Sequence, residues 1–389
     1  MNPERDRIPA GLLSLIRMGA RVHFKRMLAG PLVTALALTT ASAFGFAAPS
    51  QAAAPLYTAV PSGGTHASPS VAARQDLMGT GRSTLAAASQ TKKAAAPLVP
   101  PISTARLRFG VTTPGGPQAS SELNQVATLV NESPSIILSY KDFSQAAPID
   151  DLNAVAERGA TSLVTWEPWL WSGNGVNQPA YSLKNIAAGN FDSYIRSWGT
   201  ALAAWGKPVM LRFAQEMNGN WYPWDESVNG NGPGDFVAAW RHVHDVIASA
   251  GAANVSWVWS PNVPYSGSTP LAGLYPGPGY VDTVALDGYN WGTSQSWSSW
   301  TIPSDLFGDG LNQLRSIAPG KPILIAETAS AEAGGSKADW NTALVSYLNA
   351  QQDVTGFVWF DYNKEVDWRI DSSSSSASAL TAALAARRS

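Results

Sequence analysis

Residues 208–216, "PVMLRFAQE", decide how the rest of the chain is read. The run is apolar on nearly every side chain and ends on a carboxylate. A strand that is apolar on both faces must be covered on both faces, as parallel strands flanked by helices are. Seven further runs share this texture: "RLRFGVTT" (106–113), "SIILSYKDF" (135–143), "TSLVTWEPW" (161–169), "NVSWVWSPN" (254–262), "VDTVALDGYN" (281–290), "KPILIAET" (321–328) and "VTGFVWFDY" (354–362). Between them lie helical patterns such as "DDLNAVAERGA" (150–160), "GDFVAAWRHVHDVIASAGA" (234–252) and "DWNTALVSYLNAQQ" (339–352), several with Asp, Ser or Asn at the expected cap. In the second of these, Phe236, Trp240, Val243 and Ile247 form one apolar stripe. Strand–helix alternation repeated eight times predicts an α/β fold, a (β/α)8 TIM barrel, as a single catalytic domain over residues 105–389. The alternative, an open doubly wound sheet, needs a Gly-rich nucleotide turn after an early strand. "TTPGGPQ" (112–118) lacks the GxGxxG spacing.

The flanking sequence is different. Arg21, Lys25 and Arg26 precede the apolar run "MLAGPLVTALALTTASAFGFAA" (27–48), and "SQA" (50–52) follows with small residues. Residues 1–52 therefore read as a secretion signal cleaved after Ala52, with Met18 an alternative start and a membrane anchor the alternative role. Residues 53–104 are rich in Ala, Ser, Thr, Pro and Gly and carry few large apolar side chains, the composition of a disordered linker. The expectation is an extracellular monomer with no membrane contact once the signal is removed.

Bulk chemistry excludes several partner classes. Net charge is −2 and the body of the chain has no basic block, so nucleic acid is not expected as a partner. Cysteine is absent, which removes disulfides, thiolate nucleophiles and cysteine-ligated metals. His23 and His66 lie outside the barrel region, and His242 and His244 point to different faces of one helix. No metal and no cofactor are expected. The 16 tryptophans, all between Trp166 and Trp368, are the unusual feature. Some must fill the core, and others fall where loops should be and would form a stacking surface.

A barrel of this class carries its site at the C-terminal ends of its strands. Read as a ring, those ends contribute Glu167, Glu216, Asp287, Tyr289, Glu327 and Asp361. Glu216 and Glu327 follow near-continuous apolar runs on the fourth and seventh strands, which face each other across the mouth. Two carboxyl groups about 5–5.5 Å apart suit retaining glycoside hydrolysis, one as nucleophile and one as acid/base. Tyr289 is placed to hold the nucleophile ionised, and Arg212 to supply positive charge beneath the pair. Glu167 reads as a subsite or structural residue. Trp166, Trp224 and Trp291 join Trp221 as candidate stacking surfaces, and Trp359 is the candidate floor beneath the reacting sugar. Trp198, Trp240, Trp257 and Trp340 read as core.

"RFAQEMNGNWYPW" (212–224), "VDTVALDGYNW" (281–291), "PILIAETAS" (322–330), "GFVWFDYNKEVDWRI" (356–370) and "TWEPW" (165–169) together resemble glycoside hydrolase family 26. That resemblance implies a (β/α)8 retaining enzyme, with Glu216 in the acid/base position and Glu327 in the nucleophile position. It implies that Tyr289 contacts the nucleophile, that Trp221 and Trp359 stack on substrate, and that Arg212 is the arginine of the strand-four motif. The implied substrate is a polysaccharide: most members act on β-1,4-mannan, others on mixed-linkage β-glucan or β-1,3-xylan. The family usually has His before the acid/base, where this chain has Gln215. Glutamine donates and accepts at similar reach but carries no charge, so the departure bears on backbone specificity. A polysaccharide-binding barrel without catalysis is the alternative of another class.

Overall fold

A computed structural model describes residues 99–387. The expected secretion signal and nearly all of the expected linker lie outside the described residues. Eight strands, β1 (Arg108–Thr112), β2 (Ile136–Asp142), β3 (Thr161–Glu167), β4 (Val209–Phe213), β5 (Val255–Trp259), β6 (Thr283–Asn290), β7 (Ile323–Ser330) and β8 (Val354–Phe360), form a closed barrel. Neighbours follow chain order, every pairing is parallel, and β8 closes on β1 through five residue pairs from Arg108↔Gly356 to Thr112↔Phe360. Among the described residues, no helix is long and apolar enough to cross a membrane.

The helices are α1 (Ser120–Val130), α2 (Ile149–Glu157), α3 (Leu183–Ala187), α4 (Asp192–Trp205), α5 (Asp235–Ser249), α6 (Pro303–Ile317), α7 (Lys337–Ala350) and α8 (Ser374–Ala386). They are not spaced one per strand. Both α3 and α4 follow β3, whereas β5 and β6 are joined by irregular chain holding a single 3-10 turn, Leu271–Leu274. The reason lies in the connecting sequence, where Pro261, Pro264, Pro270, Pro276 and Pro278 alternate with Gly267, Gly273, Gly277 and Gly279. Proline removes amide donors and glycine raises the entropic cost of ordering, so no helix propagates there. Asp150, Asp151 and Asp235 sit in first turns rather than at caps, where they still favour the N-terminal end of the helix dipole. The stripe Phe236, Trp240, Val243 and Ile247 is fully buried.

Two apolar layers result from strand alternation. The barrel interior is filled by Ile136, Leu138, Leu163, Met210, Val258, Ala285, Leu324, Ala326 and Val358. The alternate residues, such as Val164, Leu211, Phe213, Trp257 and Phe357, pack outward in the continuous layer that also holds the helices. Near the N-terminal end of β1, Arg387 donates to both carboxylate oxygens of Glu132 at 2.5 and 2.9 Å and to the carbonyl of Leu107 at 2.8 Å. This buried pair ties α8 to the chain between α1 and β2.

Candidate active site

Going up the interior face of the barrel, hydrocarbon gives way to polar side chains. Two residues beyond Met210, Arg212 is wholly buried. Its Nε donates to Thr165 Oγ1 at 2.8 Å and its Nη1 to Asp287 Oδ2 at 2.8 Å, while Nη2 donates to Glu327 Oε1. Asp287 Oδ1 accepts from Ser260 at 2.9 Å. Burial works against the Arg212 charge, but Asp287 and Glu327 outweigh it and hold the guanidinium protonated. The second oxygen of Glu327 accepts from the Tyr289 hydroxyl at 2.6 Å. Burial, followed by the negative charge of Glu327, pushes Tyr289 well above the ordinary tyrosine range, so it remains a donor.

The position of Glu327 depends on an irregularity. Leu324 and Ala326 face the interior, so strict alternation would turn Glu327 outward. The register slips on both sides of β7: Leu286 pairs with Ile325 but Asp287 with Glu327, and toward β8 there is a shift between Ile325 and Thr328. The extra residue re-aims Glu327 into the mouth, as β-bulges do.

Glu216 is held differently. The fourth strand ends at Phe213, three residues short of the sequence expectation, and Ala214 and Glu216 both adopt left-handed φ, +48° and +54°. Such non-glycine residues cost about 1 kcal/mol or more each and persist only where the surroundings dictate them. Here the Glu216 amide donates to Ser260 O at 2.8 Å, and its carbonyl accepts from Gly219 at 3.0 Å. Its carboxyl Oε1 accepts from Asn262 Nδ2 and its Oε2 from Trp221 Nε1, both at 2.8 Å. Asn218 fixes Asn262 in turn, donating to its carbonyl and accepting from its amide at 2.9 Å each. Gly219 is required: an added Cβ would meet the Trp221 ring at 2.4 Å. Burial, then the negative charge of Glu327, pushes the Glu216 carboxyl up to about 7, against the opposing Asn262 and Trp221 hydrogen bonds.

Both carboxylates open on one cleft of about 850 Å³ at the C-terminal mouth. Trp221 and Tyr265 line it beside Glu216, their rings stacked at 5.7 Å and 29°. Tyr289, Trp291, Trp297 and Trp368 line it beyond Glu327, with Trp291 edge-on to Trp368 at 4.8 Å.

Residues 177–353 match the family model of glycosyl hydrolase family 26. The matched stretch belongs to glycosyl hydrolase family 26. Endoglucanase H of Acetivibrio thermocellus is 42% identical over 252 residues, covering 63% of this chain and 26% of that protein. A mannan endo-1,4-beta-mannosidase A and B of Caldalkalibacillus mannanilyticus is 27% identical over 173 residues, 42% of this chain and 31% of that one. The chain thus spans about a quarter to a third of the length of these relatives. The catalytic domain of a Bacillus sp. JAMB-750 GH26 endo-beta-1,4-mannanase superposes with a TM-score of 0.55 at 20% identity, over 73% of this chain and 86% of that one, which establishes the shared fold.

Within this barrel, the expected site residues divide. Glu216, Glu327, Tyr289, Trp221 and Trp291 line the cleft, and Arg212 lies directly beneath it. Trp166, Trp224 and Trp359 do not line it, contrary to expectation, and all three are wholly buried. Trp166 stacks on Trp198 at 4.3 Å, behind β3. Trp359 donates to Trp368 O at 2.9 Å and meets Trp340 edge-on, behind β8. Both are outward for the same reason: Leu163, Thr165 and Glu167 on β3, and Val358 on β8, hold the inward phase. Trp224 supports the site from behind, donating to Gln215 O at 2.7 Å and stacking on Tyr222. Gln215 is buried, donates to Glu167 Oε1 at 2.7 Å, and does not line the cleft either. Sequence reasoning assigned no role to Asn262, Tyr265, Lys364 and Trp368, all of which line the cleft. Their loops carry no periodicity, and only the Asn and aromatic content of "SPNVPY" (260–265) and "YNKEVDW" (362–368) marks them.

Proposed function

We propose that this chain is a retaining endo-acting β-glycanase using Glu327 as nucleophile and Glu216 as acid/base. The observation that carries the reading is that two carboxyl groups share one cleft with different partners. Glu327 accepts hydrogen bonds from Arg212 and Tyr289. Glu216 is pushed up to about 7, so it holds a proton through most of the acidic range. In the first step Glu327 attacks the anomeric carbon and Glu216 gives its proton to the departing glycosidic oxygen. In the second, the Glu216 carboxylate takes a proton from water as that water displaces Glu327 and restores both groups. Aromatic walls on both sides of the carboxyls support a long glycan lying along the cleft.

The backbone we propose is β-glucan, because the relative at 42% identity bears the name endoglucanase. β-1,4-Mannan, the substrate expected from sequence, is the second reading, favoured by the relative at 27%. Export of the protein is proposed on the 1–52 sequence alone. Product sizing on barley β-glucan, glucomannan, galactomannan and xylan tests the reading. Release of mixed oligosaccharides from β-glucan first is expected. Release of monosaccharide only, or no release from any of them, overturns the endo-glycanase reading.

A further inference from the structure

We propose that Glu167 is a specificity-determining residue of the cleft, its carboxylate accepting hydrogen bonds from the hydroxyls of the sugar bound on the nucleophile's side. The inference rests on the glycanase reading and adds the residue that selects the sugar. Glu167 is the last residue of β3, in the inward phase of Leu163 and Thr165, and it lines the cleft while only 2% exposed. Its Oε2 accepts from the indoles of Trp169 at 3.1 Å and Trp171 at 2.5 Å, and its Oε1 from Gln215 Nε2 at 2.7 Å. All three donors are neutral. Burial raises its carboxyl, the indole and amide bonds oppose that rise, and the charge of Glu327 adds to it. Lys364 also lines the cleft and responds to the charges of both Glu327 and Glu167, and Glu167 in turn responds to Glu327, so Glu167 lies within electrostatic reach of the nucleophile. Trp221, Tyr265 and Asn262 gather around Glu216.

A buried carboxyl held only by neutral donors is an expensive structural device. Packing alone would be served as well by an amide. In a glutamine at 167, the oxygen would accept from both indoles and the nitrogen would donate to a turned Gln215. The Oε1 of Gln215 is buried with no partner at present. The charge is therefore surplus to the fold, and it faces the cavity. Gln215 itself cannot do the reading, since its nitrogen is engaged by Glu167 and its oxygen is enclosed. A carboxylate accepts from two hydroxyls at once, and sugars differing at one carbon present them in different directions.

The variant Glu167→Gln tests this with aryl β-trisaccharides of gluco and manno configuration, and with monodeoxy forms of whichever the wild type cleaves faster, each lacking one hydroxyl of the glycone sugar. In the wild type, removing the hydroxyl read by Glu167 lowers kcat/KM at least tenfold, the scale of a charge-assisted hydrogen bond. In Glu167→Gln, the parent substrate falls by a similar factor and the same deletion costs less than about threefold. Trp171→Phe, which keeps the charge and removes one indole donor, shifts the pattern in the same direction by less and serves if the first variant does not fold. Equal losses on parent and every deoxy substrate, or no loss at all, overturn the inference while leaving the glycanase reading intact. A wild type that cleaves neither trisaccharide overturns both.

Discussion

Replacing Trp221 with phenylalanine should extend activity to higher pH. The indole Nε1 donates to Glu216 Oε2 at 2.8 Å, and this bond is among the interactions that hold the Glu216 carboxyl down to about 7. A hydrogen bond to a charged acceptor contributes about 1.5–3 kcal/mol, and about half of that survives when the acceptor is protonated. The difference, about 0.8–1.5 kcal/mol in favour of the ionised form, corresponds to about 0.6–1.1 pH units. Phenylalanine keeps a ring over Gly219 and against Tyr265 but has no donor. The alkaline limb of kcat/KM, set by loss of the acid's proton, should therefore move from near 7 upward by about one pH unit. The assay is initial reducing-sugar release from soluble β-glucan between pH 4 and about 10, well below saturation. Weaker stacking lowers the whole curve without moving its limb. A limb that stays in place or moves downward refutes Glu216 as the titrating acid.

Other expectations follow from the same contacts. Glu327→Ala should lower turnover by roughly three orders of magnitude or more while calorimetry still detects oligosaccharide binding, and equal loss of both would deny it the nucleophile's role. Glu216→Ala should retain much more activity on aryl glycosides with good leaving groups than on polysaccharide, since those need no proton; equal defects would contradict the assignment. Glu216→Gln should stabilise the fold at alkaline pH. A carboxyl raised from 4.5 to about 7 contributes stability that is fully present below its unfolded value and lost as pH rises through its folded one. The ceiling is about 3 kcal/mol, roughly halved by water in the open cleft. Thermal melts should coincide near pH 4 and separate by several degrees near pH 9, and a constant offset would refute the linkage. Glu132→Gln, which strips one partner from the buried Arg387 pair, should cost about 3–5 kcal/mol in chemical denaturation, against under about 1 kcal/mol if the pair is idle.

The barrel was legible because its strands are short apolar runs bounded by turn residues, and each observed strand falls within its expected run to a few residues. The gap after β5 is also visible in the sequence, in five prolines spread over residues 261–278. Trp166 and Trp359 lie close to strand ends, as a cleft residue would, but on the outward phase. Counting in twos from Leu163 or Val358 turns both outward. Two features had no such signal. The register slip that brings Glu327 inward leaves a sequence that reads as unbroken β7, and phase alone argues against that residue. The left-handed φ values at Ala214 and Glu216 fall on residues that are neither glycine nor asparagine, and the Glu216 backbone is held there by Ser260 O and the Gly219 amide.

The central claim is that a sugar becomes bonded to Glu327 while Glu216 handles the proton. Incubation with an activated 2-deoxy-2-fluoro β-glycoside slows release of such an intermediate, and intact and peptide mass spectra then locate the sugar. The account predicts one added glycosyl group per chain, on the peptide bearing Glu327, with Glu216 unmodified. Attachment at Glu167 or Glu216, or turnover giving the α-anomer with no attachment, would contradict it.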